Sequence, residues 1–334
     1  MAPKVKASFK LEPAGGPFHD PALLVTPANS SELVLLDAGT LHALRTRNLM
    51  KVRWLFLTHL HIDHVIGFDH LLRVRLFSDL PLHIFGPPGT AKAIGHRLQG
   101  YAWNLTSGSP FVIHATDLPT SPQSQSATVR YACQDRFLAT PGEPPIRGAS
   151  GEVCLEPDLK VSWYPVNHGV ACYCYRIDQS FPPQFSLQNC HRLGLLPGPW
   201  VRKLTSGQEF SMEVEGQLRD QRWLAEHLLQ ERPTVKLGYL TDTLLDSVLA
   251  KELSSFFKNV DVLVCESAYL EQELEAATQN LHMTTAQVAR LAGQCGVGQL
   301  LLFHLSRRHQ EKGPQVHLAQ ARRGFANTDL LSAP

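Results

Sequence analysis

Short apolar runs recur along this 334-residue chain, and many of them end at a polar residue or a histidine. Runs of this length that are rich in Val, Ile, Leu and aromatic residues are typical of buried strands. They cover residues 22–26, 32–36, 54–57, 82–85, 111–113, 153–155, 159–164, 171–177, 235–240, 260–264 and 299–303. Apolar residues that alternate with mostly polar ones at Val5, Ala7, Phe9 and Leu11 predict a further, half-buried strand.

Helical patterns separate many of these runs. They cover residues 41–50, 90–98, 218–230, 244–257, 284–295 and 316–323. Strands come first, and strands and helices then alternate, so the sequence predicts an α/β protein with two sheets sandwiched between helices, as a single domain over residues 1–334. The sequence has no dinucleotide-binding glycine fingerprint and no phosphate-binding P-loop.

Two segments interrupt this alternation. Residues 119–150 are rich in Pro, Ser, Gln and Gly, and we interpret them as a loop insertion. Residues 181–216 contain a Gly- and Pro-rich run at 193–200, and we interpret them as an inserted arm.

The arm carries cationic side chains with no acidic residue among them, and an indole that offers a stacking face. These residues are His191, Arg192, Trp200, Arg202 and Lys203. Such a group indicates a surface that binds a polyanion. The alternative is an ordinary solvated loop.

Composition describes an ordinary globular protein, with 43% hydrophobic and 18% charged residues. The seven cysteines are odd in number and scattered, so no disulfide framework is expected. No apolar run reaches the length of a membrane span, and the start lacks a signal-peptide core, so we expect a cytoplasmic protein without a membrane partner. A net charge of +1 gives no global attraction to nucleic acid, so a polyanion would have to bind a local patch.

The sequence Thr-His-Leu-His-Ile-Asp-His at residues 58–64 directly follows the strand predicted at 54–57. His59 and His61 are two residues apart in an extended loop, so their rings can face one metal ion, while Asp63 and His64 come as the loop turns into a helix. Imidazole and carboxylate ligands suit Zn²⁺, and Mn²⁺ or Fe²⁺ as well. The alternative is a set of unrelated surface histidines near an acid.

Further candidate site residues lie just past predicted strands or before a predicted helix. Of these, the candidate ligands are His168, Asp242 and His304, and the other candidate site residues are Asp37, Glu266 and His282. Asp37, at a strand end, could orient a metal-binding histidine. Taken alone, each histidine would more often be a satisfied polar residue, and an acid such as Asp242 would often be a helix cap.

Together these positions resemble the metallo-β-lactamase superfamily and, within it, the ribonuclease Z family of tRNA 3′-processing endonucleases. The resemblance covers residues 22–308 and rests first on the match of residues 58–64 to the family's T-H-x-H-x-D-H. The later matches keep the family's order and are His168, Asp242, Glu266, His282 and His304. The run 193–204 is similar to the Gly-Pro arm that holds the tRNA body. Ile62 stands where the family commonly has Gly, but no such departure removes a ligand.

The resemblance implies a four-layer αββα sandwich with a projecting arm and a site for two Zn²⁺ ions, or Mn²⁺ or Fe²⁺. One ion would be bound by His59, His61 and His168, the other by Asp63, His64 and His304, with Asp242 between them. A hydroxide bridging the ions would attack the phosphodiester. Asp63 would also orient this nucleophile. His282 would protonate the leaving 3′-oxygen or stabilise the transition state, and Glu266 would steer His282.

The implied activity is endonucleolytic removal of the 3′ trailer from precursor tRNA, by a homodimer. Two alternatives remain open. The same site could hydrolyse a small phosphodiester or another ester, or the protein could bind metal and RNA without cleaving it. The Gly-Pro arm favours the tRNA substrate over the small one, and the complete ligand set favours catalysis.

Overall fold

The computed structural model describes residues 9–120, 126–143 and 151–332. It divides into two compact units, of which the first combines Met1–Asp178 with Val235–Pro334 and the second is Gln179–Thr234. The second unit contains the predicted arm, residues 181–216, and extends beyond it at both ends.

Eight strands form the first sheet, in the same order in space as in sequence. They are β1 (Lys10–Pro13), β2 (Leu23–Thr26), β3 (Leu33–Leu36), β4 (Val52–Phe56), β5 (Leu82–Gly86), β6 (Val112–Asp117), β7 (Ala127–Ala132) and β8 (Ala139–Pro141). Strands β3 to β6 are parallel to one another, while β1, β2, β7 and β8 extend the sheet with antiparallel pairs.

Seven strands form the second sheet. They are β9 (Glu152–Glu156), β10 (Leu159–Asn167), β11 (Ala171–Gln179), β16 (Val235–Leu240), β17 (Val262–Glu266), β18 (Gln299–Phe303) and β19 (Thr328–Leu330). Their order across the sheet is β19-β18-β17-β16-β11-β10-β9, and β16 to β19 are parallel.

Helices accompany both sheets of the first unit. They are α1 (Thr46–Leu49), α2 (Ile62–Val65), α3 (Phe68–Arg75), α4 (Thr90–Gln99), α8 (Ser247–Phe256), α9 (Leu274–Gln279), α10 (Thr285–Cys295) and α11 (Gln315–Gly324). Short 3₁₀ helices occur at Cys133–Asp135, Glu271–Glu273 and Arg307–Lys312.

Three apolar clusters show how the layers pack. Trp54 and Phe56 of the first sheet share one cluster with Tyr173 and Tyr239 of the second, so the two sheets face each other. The other face of the first sheet packs with residues of α3 and α4, and the other face of the second with residues of α8 and α10. Strands buried on both faces need continuous apolar runs, which is the pattern of the sequence. The result is the predicted αββα sandwich.

The second unit has its own small core. Its elements are β12 (Gln184–Phe185), α5 (Leu187–Arg192), α6 (Trp200–Thr205), β13 (Ser211–Val214), β14 (Gln217–Asp220), α7 (Gln221–Leu228) and β15 (Leu229–Gln230). Cys190 and Leu204 are buried in one cluster with residues of α7, so the arm folds around side chains of its own.

Several predicted boundaries differ from the structure. The loop predicted at 119–150 is wrong for residues 127–132 and 139–141, which form strand β7 and the edge strand β8. The helix predicted at 41–50 is confined to the single turn α1. The first three residues of the predicted helix 218–230 belong to strand β14. The Asp220 carboxylate accepts a hydrogen bond from the Trp223 N–H and caps α7, which begins at the next residue.

At the start of the chain, Val5 and Ala7 lie outside the described residues, and strand β1 covers Leu11 but not Phe9. Among the described helices, none combines the length and apolar character that a membrane crossing requires.

Candidate metal centre

The metal-ligand loop leaves the first sheet at the end of β4. His59 is fully buried, and its ring centroid lies 4.5 Å from that of His61 and 4.0 Å from that of His64. Helix α2 begins at Ile62, inside the motif, so Asp63 and His64 leave from its first turn while the two earlier histidines leave from extended backbone. The motif therefore presents its four side chains in two directions.

The predicted metal ligands form two groups at this edge of the sandwich, and the ligand atoms within each group lie within 4.8 Å of one another; a third such group joins Asp242 to Glu266 and His282. The first group is His59, His61, His168 and Asp242, and the second is Asp63, His64, Asp242 and His304. Asp242 belongs to both groups. The seven candidate ligands thus divide into two sets that share one carboxylate.

The Asp242 carboxylate is buried among imidazole nitrogens. Its Oδ2 lies 3.3 Å from His64 Nε2 and 3.6 Å from His168 Nε2. Its Oδ1 lies 3.1 Å from His304 Nε2. Burial raises the pKa of Asp242, but His304 and His64 outweigh it and hold that pKa well below its ordinary value. An ionised carboxylate in this position suits two cations.

Buried atoms without hydrogen-bond partners test whether metal ions fit. Among the described residues, His59 Nε2, His64 Nε2 and Asp242 Oδ1 are buried and accept or donate no hydrogen bond. Buried polar atoms are nearly always paired, and all three belong to the two ligand groups. Divalent metal ions would satisfy them, so the residues fit the cofactor.

Contacts behind the ligands fix which ring nitrogen faces the centre. The Nδ1–H of His64 donates to Asp37 Oδ2 at 3.0 Å, and the Nδ1–H of His168 donates to the Leu281 carbonyl at 2.9 Å. Since these acceptors carry no proton, each ring keeps its Nε2 lone pair for the centre. The hydrogen bond between His64 and Asp37 has the geometry that the expected orienting role of Asp37 requires.

The Asp37 carboxylate accepts three further hydrogen bonds, from two residues. The Thr58 N–H and hydroxyl donate to its carboxylate at 2.7 and 3.0 Å, and the Tyr239 hydroxyl donates at 3.1 Å. Sequence patterns gave no indication of Tyr239 or of the Leu281 carbonyl, since both contacts depend on the packing of distant segments.

His282 and Glu266 form a pair beside the ligand groups. The His282 Nδ1–H donates to Glu266 Oε2 at 2.7 Å, and the fully buried Glu266 also accepts from the N–H groups of Thr243 at 3.1 Å and Met283 at 3.3 Å. The structure therefore provides the contact through which Glu266 was expected to steer His282.

Local charge and burial shift the pKa values of the site histidines in both directions. Burial lowers the pKa of His64, but Asp37 and Asp242 outweigh it and raise that pKa well above its ordinary value. Burial, reinforced by His64, lowers the pKa of His59 to about 2, so its ring stays neutral, as a metal ligand must be. Burial also lowers the pKa of His282, but Glu266 and Asp242 outweigh it and raise that pKa to about 9.

An open pocket of about 500 Å³ gives solvent access to the centre. Asp63, His61 and His282 line it together with Phe18, Asp20 and other residues, including Arg307. The Arg307 guanidinium pairs with the Asp20 carboxylate at 2.7 Å. Asp20 and Arg307 were not among the predicted site residues, because Asp20 stands in no motif and Arg307 stands at a variable position of the family's motif around His304.

The five predicted arm residues lie in the second unit. His191 and Arg192 end α5, Arg202 and Lys203 lie on α6, and all four are exposed. Trp200 is half-buried, its indole N–H donates to the Leu196 carbonyl at 3.2 Å, and its ring packs on Phe185. Part of the predicted stacking face is thus used within the arm.

Comparison with known proteins places this centre in a family, although no family model matches the chain. The chain is 34% identical over 306 residues to ribonuclease Z of Deinococcus radiodurans, covering 89% of this chain and 90% of the relative. Among solved structures it is similar to the metallo-β-lactamase fold protein YhfI of Bacillus subtilis, with a TM-score of 0.56, 15% identity and coverage of 97% and 96%. It is also similar to human tRNase Z, short form, with a TM-score of 0.53, 17% identity and coverage of 90% and 93%. The chain has the metallo-β-lactamase fold and belongs to the ribonuclease Z family of metal-dependent hydrolases.

Proposed function

We propose that this protein is a dinuclear-metal phosphodiesterase that removes the 3′ trailer from precursor tRNA. The observation that carries the proposal is the pair of four-residue ligand groups that share Asp242. The relative from D. radiodurans, which spans nearly the whole chain, is named ribonuclease Z, and this supports RNA as the substrate.

The ligand groups assign a residue set to each ion. His59, His61 and His168 would hold one ion, Asp63, His64 and His304 would hold the other, and Asp242 would bridge them. All are imidazole or carboxylate ligands, which suit Zn²⁺ and also Mn²⁺ or Fe²⁺. When bound, two such ions lower the pKa of water and neutralise charge on a phosphodiester.

Residues of the chain then supply positioning and proton transfer. Asp63 is partly exposed in the pocket, where its carboxylate accepts a hydrogen bond from the attacking water and orients it. His282 reaches the same pocket, and its Nδ1 is occupied by Glu266, so Nε2 is the nitrogen that can pass a proton to the leaving 3′-oxygen.

The arm supplies the contact with the tRNA body. His191, Arg192, Arg202 and Lys203 are exposed on α5 and α6, and cationic groups of this kind bind phosphates without reading the base sequence. Trp200 contributes the part of its ring that remains exposed.

Two copies of the chain form the working unit, in the cytoplasm where precursor tRNA is processed. Support comes from exposed apolar side chains at the two ends of α2 and just after α3, where Ile62, Ile66 and Phe77 are 69%, 42% and 65% exposed. Ile62 and Ile66 are one helical turn apart, and contiguous exposed apolar side chains mark protein interfaces.

Cleavage of a labelled precursor tRNA by metal-loaded protein tests the proposal, beside a chelated control and a bis-aryl phosphodiester. We expect metal-dependent release of a discrete 3′ trailer. Turnover of the small diester alone would keep the site and make the protein a small-phosphodiester hydrolase. Binding of tRNA without cleavage of either substrate would make it an RNA-binding protein.

A further inference from the structure

A chain of buried polar side chains lies outside the ligand groups. Glu273 accepts a hydrogen bond from His309 Nε2 at 3.0 Å, and His309 Nδ1 lies 2.9 Å from His317 Nε2. His317 Nδ1 lies 2.9 Å from the hydroxyl of Thr285. The His309, His317 and Thr285 side chains are all buried, so the contacts among them are shielded from water, while Glu273 at one end is partly exposed.

Each end of this chain is attached to a segment that carries a site residue. Thr285 follows His282 by three positions, and its hydroxyl lies 2.7 Å from that of Ser267, the residue after Glu266. His309 follows His304 by five positions. His317 lies on α11, which supplies no ligand, and it contacts both Thr285 and Ser267.

Backbone hydrogen bonds join the same segments. The Thr285 N–H donates to the Tyr269 carbonyl at 2.8 Å, and the Tyr269 N–H donates to the Met283 carbonyl at 3.3 Å. The Tyr269 ring lies 5.9 Å from the His282 ring, and the Arg308 guanidinium lies 4.4 Å above Tyr269. These contacts join segments 267–269 and 283–285 to each other.

Hydrogen-bond geometry assigns the protons along this chain of side chains. The Glu273 carboxylate only accepts, so His309 Nε2 carries a proton, and the His317 Nε2–H then donates to His309 Nδ1. This leaves His317 Nδ1 as the acceptor for the Thr285 or Ser267 hydroxyl. Burial and the neighbouring His309 lower the pKa of His317 to about 4, which agrees with a neutral ring.

We propose that, in the His309–His317 pair, His317 is the positioning element. Its contacts with Thr285 and Ser267 hold segments 267–269 and 283–285, and through them Glu266 and His282, in the geometry needed for proton transfer. Apolar side chains could fill the same volume. They would not fix one arrangement of α11 and the two segments, as a satisfied polar network does. The inference rests on the proposed function only in treating His282 as the proton donor.

Two substitutions of His317 distinguish its contact with Thr285 from its contact with His309. The side-chain amide of Asn reaches the place of Nδ1, so His317→Asn keeps the contact with Thr285 and loses that with His309. The amide of Gln reaches the place of Nε2, so His317→Gln does the reverse. We expect His317→Gln to lower kcat for a bis-aryl phosphodiester about tenfold at unchanged KM and metal content, since small misplacements of catalytic groups are costly. His317→Asn should stay within about threefold of wild type, as should the control His96→Gln at an exposed position of α4.

Hydrogen exchange of peptides covering residues 266–269 and 282–285 gives a readout independent of turnover. These peptides should exchange faster in His317→Gln than in His317→Asn. Equal kcat in both variants and wild type, or an equal loss of kcat together with metal in both, would overturn the proposal. If wild type cleaves neither the diester nor precursor tRNA, the proposed function fails, and the exchange comparison still decides whether His317 holds the segments.

Discussion

His282 Nδ1 lies 2.7 Å from Glu266 Oε2, and the same carboxylate accepts hydrogen bonds from two backbone N–H groups. His282 thus has an anchored partner that is distinct from the seven candidate metal ligands. Replacement of the imidazole should therefore remove proton transfer while sparing metal binding.

His282→Ala should lower kcat by about 10²- to 10⁴-fold, the usual contribution of a general acid. Metal content, measured by elemental analysis, should stay near the wild-type value. His96→Ala, at an exposed position of α4, is the control and should change neither quantity. Loss of metal in proportion to activity would show that His282 is structural.

Asp37→Asn should weaken metal binding, because the Asp37 carboxylate orients His64 and fixes its Nε2 toward the centre. Loss of such an outer contact typically costs about 10- to 100-fold in metal affinity. Competition with a chelating dye measures this affinity. Asp69→Asn, which removes a surface carboxylate paired with Arg97, is the matched control. Equal affinity in Asp37→Asn and wild type would contradict the role assigned to Asp37.

Neutralising the arm should separate the two substrates. The triple substitution Arg192→Gln, Arg202→Gln, Lys203→Gln should weaken cleavage of precursor tRNA and reduce its salt dependence, because fewer phosphates are contacted. The bis-aryl phosphodiester should be cleaved as by wild type. These exposed positions are better targets than deletion of residues 190–205, which would remove Cys190 and Leu204 from the arm's core.

A matched triple in the first unit controls for net charge. Lys251, Lys258 and Arg323 are exposed and lie outside the arm, so their replacement by Gln should leave tRNA cleavage nearly unchanged. If both triples weakened tRNA cleavage equally, the arm would have no special role in binding.

Acid should destabilise the protein partly through His83. Burial, His114 and Arg53 lower the pKa of His83 to about 3, so its ring stays neutral in the fold while the unfolded chain takes up a proton below its ordinary pKa of 6.5. Stability is therefore lost as pH falls from 6.5 toward about 3. The free energy of unfolding, measured with urea, should fall between pH 6.5 and about pH 4.5 in wild type. His83→Gln should make this fall smaller by about 2 kcal/mol. The exposed control His96→Gln should retain the wild-type slope, and an unchanged slope in His83→Gln would contradict this.

The sandwich and the convergence of the ligand groups could be predicted because their determinants are local. Strands buried on both faces leave continuous apolar runs, and a ligand at the end of such a strand, such as Asp242, is visible beside it. Strands β7 and β8 lie near one edge of the first sheet. They could not be predicted, because such strands depend on pairing with a neighbour more than on their own residues.

Contacts between distant segments were also invisible in the sequence. The Leu281 carbonyl that orients His168 can be supplied by any residue, so only the backbone position matters. The His309–His317 contact depends on where α11 packs. Asp37 was visible as an acid at a strand end, but its hydrogen bond with Tyr239, 202 positions away, was not.

The number of metal ions per chain tests the central claim most directly. Elemental analysis of zinc-loaded wild type, with crystallographic anomalous scattering to locate the ions, should show two ions per chain on either side of Asp242. His168→Ala should lose the ion at His59 and His61 first, and His304→Ala the ion at Asp63 and His64. A single ion per chain, or two ions that do not share Asp242, would contradict the account.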